Sequence, residues 1–340
     1  MVESVGREGS AVNAVNAVSA VKAVNSGDAS ALTVGISLPW DVLMSADPVR
    51  RRALLASVAD SGIDVVTVGD HISFHGGVGF EGMVTASTVL ATHDRLPVLI
   101  GVYLLGLRHP MLAARQISTL TGMAPGRLIL GVGVGGDDRR EIANTGIDPS
   151  TRGRRVDESL GLLRRLLDGE EVTHEGEFFS LDRAKILPTP EPQVPMVIGG
   201  KGEVAVRRTA ALGDGWLGIF ATARRFTETR EQILEEADRI GRATPPTWFG
   251  VSAWCGLDDD RVKAEATLSA DLEDLYGMSY DKIRHLAPAG DARHVAEWLM
   301  PFIEGGAGHV TLVPAGPCAE AGVEMVAEVA SILRSTASRT

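Results

Sequence analysis

Several features that would mark particular classes of protein are scarce or missing in this sequence. Its 340 residues include two cysteines, Cys255 and Cys318, whose separation matches no metal-ligand spacing, so we expect free, buried thiols in a reducing compartment. Acidic residues outnumber basic ones by 44 to 33, which argues against a nucleic-acid or anionic-membrane surface. No apolar run approaches the ~18 residues that a membrane span requires. The sequence therefore predicts a cytoplasmic protein with small-molecule partners.

Motifs of metal-dependent and hydrolytic enzymes are also missing. The histidines form neither an HxH nor an HExxH pattern, and no GxSxG nucleophile elbow occurs. The glycine run at 131–136 lies at a strand exit whose context is wrong for a dinucleotide-binding motif, so we reject a Rossmann fold. We therefore predict no metal site and expect the equipment of a cofactor enzyme, in which the cofactor supplies the difficult chemistry.

The N-terminal segment differs from the rest of the chain. Residues 11–24 repeat every three positions (AVNAVNAVSAVKAV), a period that fits neither a strand nor an amphipathic helix. The segment also lacks the basic start and the cleavage site of a signal peptide. We predict a poorly ordered extension over residues 1–30 and a single domain over residues 31–340.

From residue 32 onward, short apolar runs alternate with helical patterns. Strands joined through helices must be parallel, and eight such units over about 300 residues favour a closed (β/α)8 (TIM) barrel over a doubly wound sheet. The proline-rich segment 170–194 breaks the rhythm and is predicted to be an insertion between units four and five. The eight predicted strands are 32–38, 63–69, 97–105, 126–135, 195–200, 214–220, 247–257 and 309–316.

In a barrel of this kind the active site lies at the carboxyl ends of the strands. The second predicted strand ends at Asp70 and His71, with His75 shortly after, and these are the candidate catalytic residues. Histidine suits proton transfer near neutrality. The alternative is an aspartate that caps backbone and a histidine packed against the barrel rim. His109 precedes a proline and is expected to set up the next helix, whereas Arg108 could reach an anion.

Glycines dominate the exit of the fifth predicted strand. Gly199, Gly200 and Gly202 precede a helix, so backbone N–H groups and a helix N-terminus can face an anion there. The alternative is a tight loop that needs positive φ angles. With the neighbouring strand ends, the candidate cofactor-binding residues are Asp70, His71, Gly133, Val134, Gly135, Gly136, Gly199, Gly200, Lys201, Gly202, Gly218, Thr222, Arg224 and Arg225.

Taken in order, these segments resemble the luciferase-like monooxygenase superfamily, and its branch that uses the deazaflavin coenzyme F420 looks most similar. The stretch at 195–218, with its double glycine and its GDGW, is the most specific match. Together the matches run over nearly all of residues 32–334. The other matching segments are GISLPW (35–40), VTVGDHIS (66–73), LRHP (107–110), GRLILGVGVGG (126–136), RGRRVDE (152–158) and HVTLVPAG (309–316).

The resemblance implies a luciferase-like barrel that holds the deazaflavin ring at the strand ends. It implies a non-prolyl cis peptide bulge at Gly101 and Val102 that cups the ring, with His71 beside it. It places the coenzyme phosphate at residues 199–202, and the acidic tail near the basic pair after the sixth strand. A homodimer is expected by analogy alone.

The function implied is hydride transfer between F420 and a small organic substrate, as a C=C or C=N reduction or an alcohol oxidation. In the sugar-phosphate dehydrogenases of this branch, a Trp follows the histidine by four residues and a Glu follows strand four. Here His75 and Gly136 stand at those places, which argues against a sugar-phosphate substrate. Two alternatives stay open: a two-component monooxygenase that uses FMN, and a flavin-binding barrel without turnover.

Overall fold

The barrel prediction is confirmed in a computed structural model of the protein, which describes residues 32–43, 45–136, 138–316 and 319–337. The predictions for residues 1–30 and for Cys318 lie outside these ranges. Eight parallel strands form a closed ring, in which each pairs with the next along the chain and the last pairs with the first. They are β1 (Thr33–Ser37), β2 (Val65–Val68), β3 (Val98–Tyr103), β4 (Leu128–Val132), β5 (Met196–Gly199), β6 (Gly215–Ile219), β7 (Trp248–Leu257) and β8 (His309–Pro314).

Helices follow the strands, and their apolar faces form one continuous core with the outward faces of the strands. The long helices are Pro48–Asp60, Gly82–Thr92, Pro110–Met123, Arg152–Leu167, Gly202–Leu212, Ala223–Arg239, Arg261–Tyr276, Ala292–Glu304 and Ala319–Ala337. Shorter helices and turns are Trp40–Leu43, His75–Gly77, Leu105–Leu107, Arg139–Ala143 and Tyr280–Ile283, and a two-residue strand, Ala289–Gly290, pairs with β7. Within the described ranges, no helix combines the length and the apolar content needed to cross a membrane.

Side chains fill the interior of the barrel. His309 is among the buried side chains, and its ring stacks on that of Trp248 with 4.9 Å between the ring centroids. Burial lowers the pKa of His309 to about 3. Since the interior is closed in this way, a ligand finds room only at an end of the barrel. Six neighbouring strands each contribute one residue to an inner cluster, which consists of Val65, Leu99, Ile129, Val197, Leu217 and Trp248.

The segment 170–194 leaves the barrel as predicted. It contains a two-stranded antiparallel hairpin, Val172–Glu175 with Ser180–Ala184. The carboxylate of Glu158, on the preceding helix, accepts hydrogen bonds from two backbone N–H groups of the hairpin turn at 3.1 and 3.0 Å. The same carboxylate lies 3.0 Å from His174 Nε2. Glu158 therefore helps to anchor the insertion to the barrel.

Two smaller predictions are confirmed. Cys255 is a free and fully buried thiol, and burial raises its pKa. His109 sets up the helix Pro110–Met123, because its Nδ1 accepts a hydrogen bond from the backbone N–H of Met111 at 3.2 Å. Both residues are explained by the fold and take no part in the site described below.

Candidate functional site

A cavity of about 280 Å³ opens at the carboxyl ends of the strands, where the barrel fold predicts the active site. One part of its wall comes from the ends of β1, β2 and β3, and another from β6, β7 and the helix Arg261–Tyr276. The described lining residues include Ser37, Thr67, Gly69, His71 and Gly101 in the first part and Ile219, Trp254, Asp271, Asp274 and Tyr276 in the second.

His71 is held by a carboxylate that the sequence analysis did not single out. Its Nδ1 lies 3.2 Å from both carboxylate oxygens of Glu141, which is only 1% exposed. Glu141 also accepts hydrogen bonds from the backbone N–H groups of Ile72 at 2.6 Å and Ser73 at 3.2 Å. One carboxylate therefore orients both the His71 ring and the backbone that follows it.

The protonation of this pair follows from its contacts. Burial raises the pKa of the Glu141 carboxyl, but the hydrogen bonds from His71, Ile72 and Ser73 outweigh it and hold that pKa below its usual value. We assign the proton of His71 to Nδ1, since an ionised Glu141 accepts and cannot donate. His71 Nε2 makes no hydrogen bond to any residue that the structure describes. That nitrogen is available to exchange a proton with a molecule in the cavity.

Glu141 lies on the short helix Arg139–Ala143, which follows the glycine-rich exit of β4. Asp138 caps this helix by accepting hydrogen bonds from the backbone N–H groups of Arg140 and Glu141 at 3.0 and 3.4 Å. The sequence signal was the acidic run DDRRE at 137–141, directly after a strand end. The glycines that precede this run mask it as a continuation of the strand-exit loop.

Asp70 does not fit the catalytic and cofactor-binding roles predicted for it. Its side chain is completely buried, and its carboxylate forms a two-pronged ion pair with Arg108 at 2.6 and 2.7 Å. The backbone N–H groups of Gly82 and Leu104 also donate to it, at 2.8 and 2.7 Å. Burial raises the pKa of Asp70, and the Arg108 guanidinium opposes that rise. The carboxylate is structural, because it ties the exit of β2 to that of β3.

Arg108, which was expected to reach an anion, is occupied within the fold. Besides Asp70, it pairs with Glu81 at 2.9 Å, and its guanidinium lies 4.3 Å from the centroid of the Tyr103 ring. Burial lowers the pKa of Arg108, but the attraction of Asp70 outweighs it and raises that pKa above its usual value. Arg108 therefore supports Asp70 and is not available to a ligand.

His75, the third catalytic candidate, lies at the rim and is separated from His71 by Phe74. The centroid of the Phe74 ring lies 4.2 Å from that of His71 and 4.1 Å from that of His75. The backbone N–H of His75 donates to Asp138 at 3.0 Å, and 45% of its side chain is exposed. The geometry therefore favours His71 over His75 as the proton-transfer group.

The bulge expected at the end of β3 is present. The peptide bond between Gly101 and Val102 is cis, and the register between β3 and β4 shifts between Ile100 and Tyr103. Gly101 lines the cavity. This backbone feature is confirmed at the residues named from the sequence.

Two glycines predicted to bind the cofactor make room for this bulge. A Cβ atom at Gly133 would overlap Val102 Cγ2, and one at Gly199 would lie 2.8 Å from Val102 Cγ1. A larger residue at either position would displace Val102. Packing therefore explains why these positions are glycine, and the cofactor contacts expected for them stay predictions.

Gly218 is also explained by packing. A Cβ atom there would lie 2.8 Å from the ring of Trp216. Trp216 is 2% exposed, and its Nε1–H donates to the carbonyl of Gly200 at 3.0 Å. The Trp of the GDGW motif therefore positions the loop after β5, a role that the sequence analysis did not assign.

The loop after β5 has the features of an anion-binding site. Gly200 and Gly202 have φ angles of +124° and +78°, which glycine adopts readily. The helix Gly202–Leu212 has no side-chain hydrogen bond at its N-cap residue, Lys201, so N–H groups of its first turn are left for a ligand or solvent. A Cβ atom at Gly202 would meet no described atom within 4 Å. An open loop with these donors fits a coenzyme phosphate.

The exit of β4 supports the short helix that carries Glu141. Val134 packs against the apolar core, and Gly135 has a φ of +90°, where a Cβ atom would lie 3.2 Å from Ile142. The carbonyl of Gly136 accepts a hydrogen bond from Arg152 at 3.2 Å. The cofactor contacts expected for Val134, Gly135 and Gly136 stay predictions.

Thr222 and the basic pair after β6 have partners of their own. The Thr222 hydroxyl caps the helix Ala223–Arg239 by accepting a hydrogen bond from the backbone N–H of Arg225 at 3.2 Å. Arg224 and Arg225 lie 3.5 and 3.6 Å from the carboxylate of Glu228, with 88% and 55% of their side chains exposed. Capping accounts for Thr222, and binding of an acidic tail by the arginines stays a prediction.

These observations define a class of protein. The chain is a (β/α)8 barrel with a histidine–carboxylate pair and a glycine-rich loop before a helix N-terminus at the carboxyl ends of its strands. The sequence model of the family described as luciferase-like monooxygenase matches residues 30–307. The chain therefore belongs to this family, as its motifs predicted.

Individual relatives share the fold and part of the sequence. An F420-dependent glucose-6-phosphate dehydrogenase of Nakamurella multipartita is 32% identical over 232 residues, which are 64% of this chain and 66% of that protein. A 5,10-methylenetetrahydromethanopterin reductase of Archaeoglobus fulgidus is 28% identical over 207 residues, 60% of this chain and 59% of that protein. Both matches span less than two thirds of the relative's length.

A solved structure of an F420-dependent secondary alcohol dehydrogenase, in complex with an F420-acetone adduct, resembles the chain closely in fold. It aligns with a TM-score of 0.78 at 21% identity, and the alignment covers 89% of this chain and 99% of that one. At this level of identity, the similarity concerns the fold alone.

Proposed function

We propose that this protein transfers a hydride between coenzyme F420 and a small organic substrate. The observation that carries the proposal is the pair formed by His71 and Glu141, which places a free imidazole nitrogen at the cavity where the strands end. The F420-dependent activities of relatives and structural neighbours support the choice of coenzyme. The named substrates of these proteins differ, so the coenzyme is the shared element.

Three parts of the chain would hold the coenzyme. The loop at 199–202 and the helix N-terminus behind it would bind the phosphate, and Gly101 would face the ring at the cavity wall. Arg224 and Arg225 would meet the acidic tail, because they are exposed at the start of the helix after β6. The bound deazaflavin supplies or accepts the hydride, so the protein has to bind, orient and move a proton.

His71 Nε2 is the proton-transfer atom in this proposal. In an oxidation it takes the proton of a substrate hydroxyl, and in a reduction it returns a proton to the product. Glu141 stabilises the imidazolium through Nδ1 and keeps the ring in one orientation. Glu141 is thus a positioning residue, because it acts through His71.

Titration of the purified protein with F420 and with FMN, followed by fluorescence quenching, tests the proposal. We expect F420 to bind with micromolar or better affinity and FMN to bind weakly, because FMN lacks a tail for the basic pair. Tight FMN binding without F420 binding would move the protein to the two-component monooxygenase alternative. Coenzyme binding without turnover over a panel of alcohols, imines and enones would favour the non-catalytic barrel.

A further inference from the structure

We propose that the substrate part of the cavity binds an organic cation, that is, a molecule with a quaternary or protonated ammonium group or an iminium group. This inference rests on the proposed function and names the substrate class of the same site. It is carried by one stretch of the cavity wall, formed by β6, β7 and the helix Arg261–Tyr276, which combines carboxylates with aromatic rings.

The charge of this wall is negative. Asp271 and Asp274 line the cavity, and none of its described lining residues is Lys or Arg. Asp274 has no hydrogen bond or ion pair with a described residue, and Asp271 uses one oxygen to accept a hydrogen bond from Gly316 N–H at 2.9 Å. Carboxylates at a concave mouth focus a negative potential, which attracts cations and repels phosphorylated molecules.

Four aromatic rings meet at the same place, with Tyr276 at their centre. Trp254, Phe220 and Phe74 lie 5.8, 6.0 and 5.9 Å from Tyr276 between ring centroids. Their planes make angles of 85°, 88° and 73° with it. Trp254 and Tyr276 line the cavity directly. The two rings at the cavity wall suit an organic cation, because aromatic rings attract cations electrostatically.

The combination of carboxylates and aromatic rings favours an organic cation over a metal ion and over a neutral apolar substrate. A small metal ion prefers several oxygen ligands, and no group of three His, Cys, Asp or Glu side chains in the described ranges could hold one. A neutral apolar substrate would use the rings but gain nothing from Asp271 and Asp274. A basic side chain near these rings, that of Lys201 in the loop after β5, lies with its Nζ 3.3 Å from the carbonyl of Phe220 and 5.8 Å from the centroid of the Phe220 ring. Rings and carboxylates together therefore select a bulky, weakly hydrated cation.

The test uses protein saturated with F420, with saturation checked by fluorescence quenching. Calorimetric titration then compares choline, its neutral isostere 3,3-dimethylbutan-1-ol, and glucose 6-phosphate. We expect choline to bind about tenfold more tightly than the isostere, because only choline gains the cation–π and carboxylate attraction, and glucose 6-phosphate not to bind. Equal affinity for the two isosteres, tighter binding of the alcohol, or binding of glucose 6-phosphate would overturn the inference.

Substitutions in the cavity wall test whether the preference for choline arises there. Asp274→Asn and Asp271→Asn should each weaken choline several-fold and leave the alcohol unchanged. Glu273→Gln is the matched control, because it removes the same charge from an exposed position of the same helix that does not line the cavity. Tyr276→Phe should keep choline binding and Tyr276→Leu should lose it, since the ring face is the binding element. An equal loss in Glu273→Gln and Asp274→Asn would reduce the effect to general surface charge and refute the site.

The proposed F420-dependent function and the proposed cation site can be contradicted independently of each other. Absence of F420 quenching contradicts the proposed function, and the choline titration on the coenzyme-free protein then still decides the charge preference. Normal F420 binding without a preference for choline contradicts the cation site alone. Circular dichroism checks the fold of each variant, and if one does not fold, the comparison of isosteres on the unaltered protein decides.

Discussion

Two regions at the carboxyl ends of the strands position their candidate functional groups through different kinds of contact. At the exits of β2 and β4, a side chain is held by another side chain, since Glu141 orients His71. At the exits of β5 and β6, the proposed phosphate site consists of backbone, in which Gly200 and Gly202 adopt positive φ angles and Trp216 holds the carbonyl of Gly200 in place. A group that moves a proton needs a charged partner, whereas a group that binds an anion needs open backbone.

Substitutions in the two regions should therefore have different effects. At the exits of β2 and β4, they should alter turnover or stability and leave coenzyme affinity nearly unchanged. At the exits of β5 and β6, they should alter coenzyme affinity and leave turnover at saturating coenzyme nearly unchanged.

Replacing His71 with Ala should lower turnover by roughly 10²- to 10⁴-fold, because the proton-transfer group is lost. F420 affinity should fall much less, since the phosphate loop lies on another strand. F420-linked absorbance changes and fluorescence titration measure the two quantities. His75→Ala is the matched control and should keep most of the rate, because Phe74 separates the two rings. A folded His71→Ala protein with normal turnover would remove His71 from the mechanism.

Replacing Arg108 with Met should lower the free energy of unfolding by about 3–5 kcal/mol, because the buried carboxylate of Asp70 loses its partner. Urea denaturation measures the change. The double variant Asp70→Asn with Arg108→Met should be more stable than Arg108→Met alone, since no unpaired charge stays buried. Equal loss in the single and double variants would show that packing of Arg108 matters more than its charge.

Replacing Glu141 with Gln should lower turnover by about 10- to 100-fold, because His71 loses the partner that sets its proton and orientation. Coenzyme affinity should stay the same. The folded-state pKa of Glu141 lies below the usual value of 4.5, so its contribution to stability is complete above that pH and is lost as the pH falls through the folded-state pKa. Melting temperatures across acidic and neutral pH should therefore fall less on acidification in the Gln variant. Identical pH profiles would contradict the ionised pair.

Replacing Trp216 with Phe should weaken F420 binding about fivefold, because one hydrogen bond that positions Gly200 is lost and a net contribution of about 1 kcal/mol is typical. The ring contact with Phe226, at 5.4 Å between centroids, should be kept. Turnover at saturating F420 should not change. Trp298→Phe removes an indole N–H away from the loop and should leave F420 affinity as it was.

Replacing both Arg224 and Arg225 with Ala should weaken F420 binding only a few-fold, and mainly at low ionic strength, because both side chains are exposed and screened by salt. A tail-free F420 analogue should bind both proteins equally. Titrations at low and high salt measure the difference. An equal effect on the tail-free analogue would place the arginines at the phosphate instead.

The strands and helices were predictable because local patterns encode them. The barrel strands are buried on both faces and read as near-continuous apolar runs, as in β2 and β4. Helix starts carry their own signals, such as Asp47 before Pro48 and His109 before Pro110. The cis bond at Gly101 was predicted through the family resemblance, since no local pattern of apolar residues encodes it.

Glycine positions show where local patterns mislead. In the sequence, Gly133, Gly199 and Gly202 look alike, as small residues at strand exits that a cofactor phosphate can approach. In the fold, the first two make room for Val102, and the third leaves open space before a helix N-terminus. A missing side chain has the same appearance in sequence whether the space is filled by a neighbour or left for a ligand.

The strand–helix units, the strand ends that carry the site, His71 and the loop at 199–202 could be predicted from the sequence, since each is marked by residues near one another in the chain. The partners of these residues follow from the tertiary structure. Glu141 is 70 residues from His71, and Arg108 is 38 residues from Asp70. Which side chains meet over such separations depends on how neighbouring strand ends are brought together when the ring closes, and that register is a property of the whole sheet.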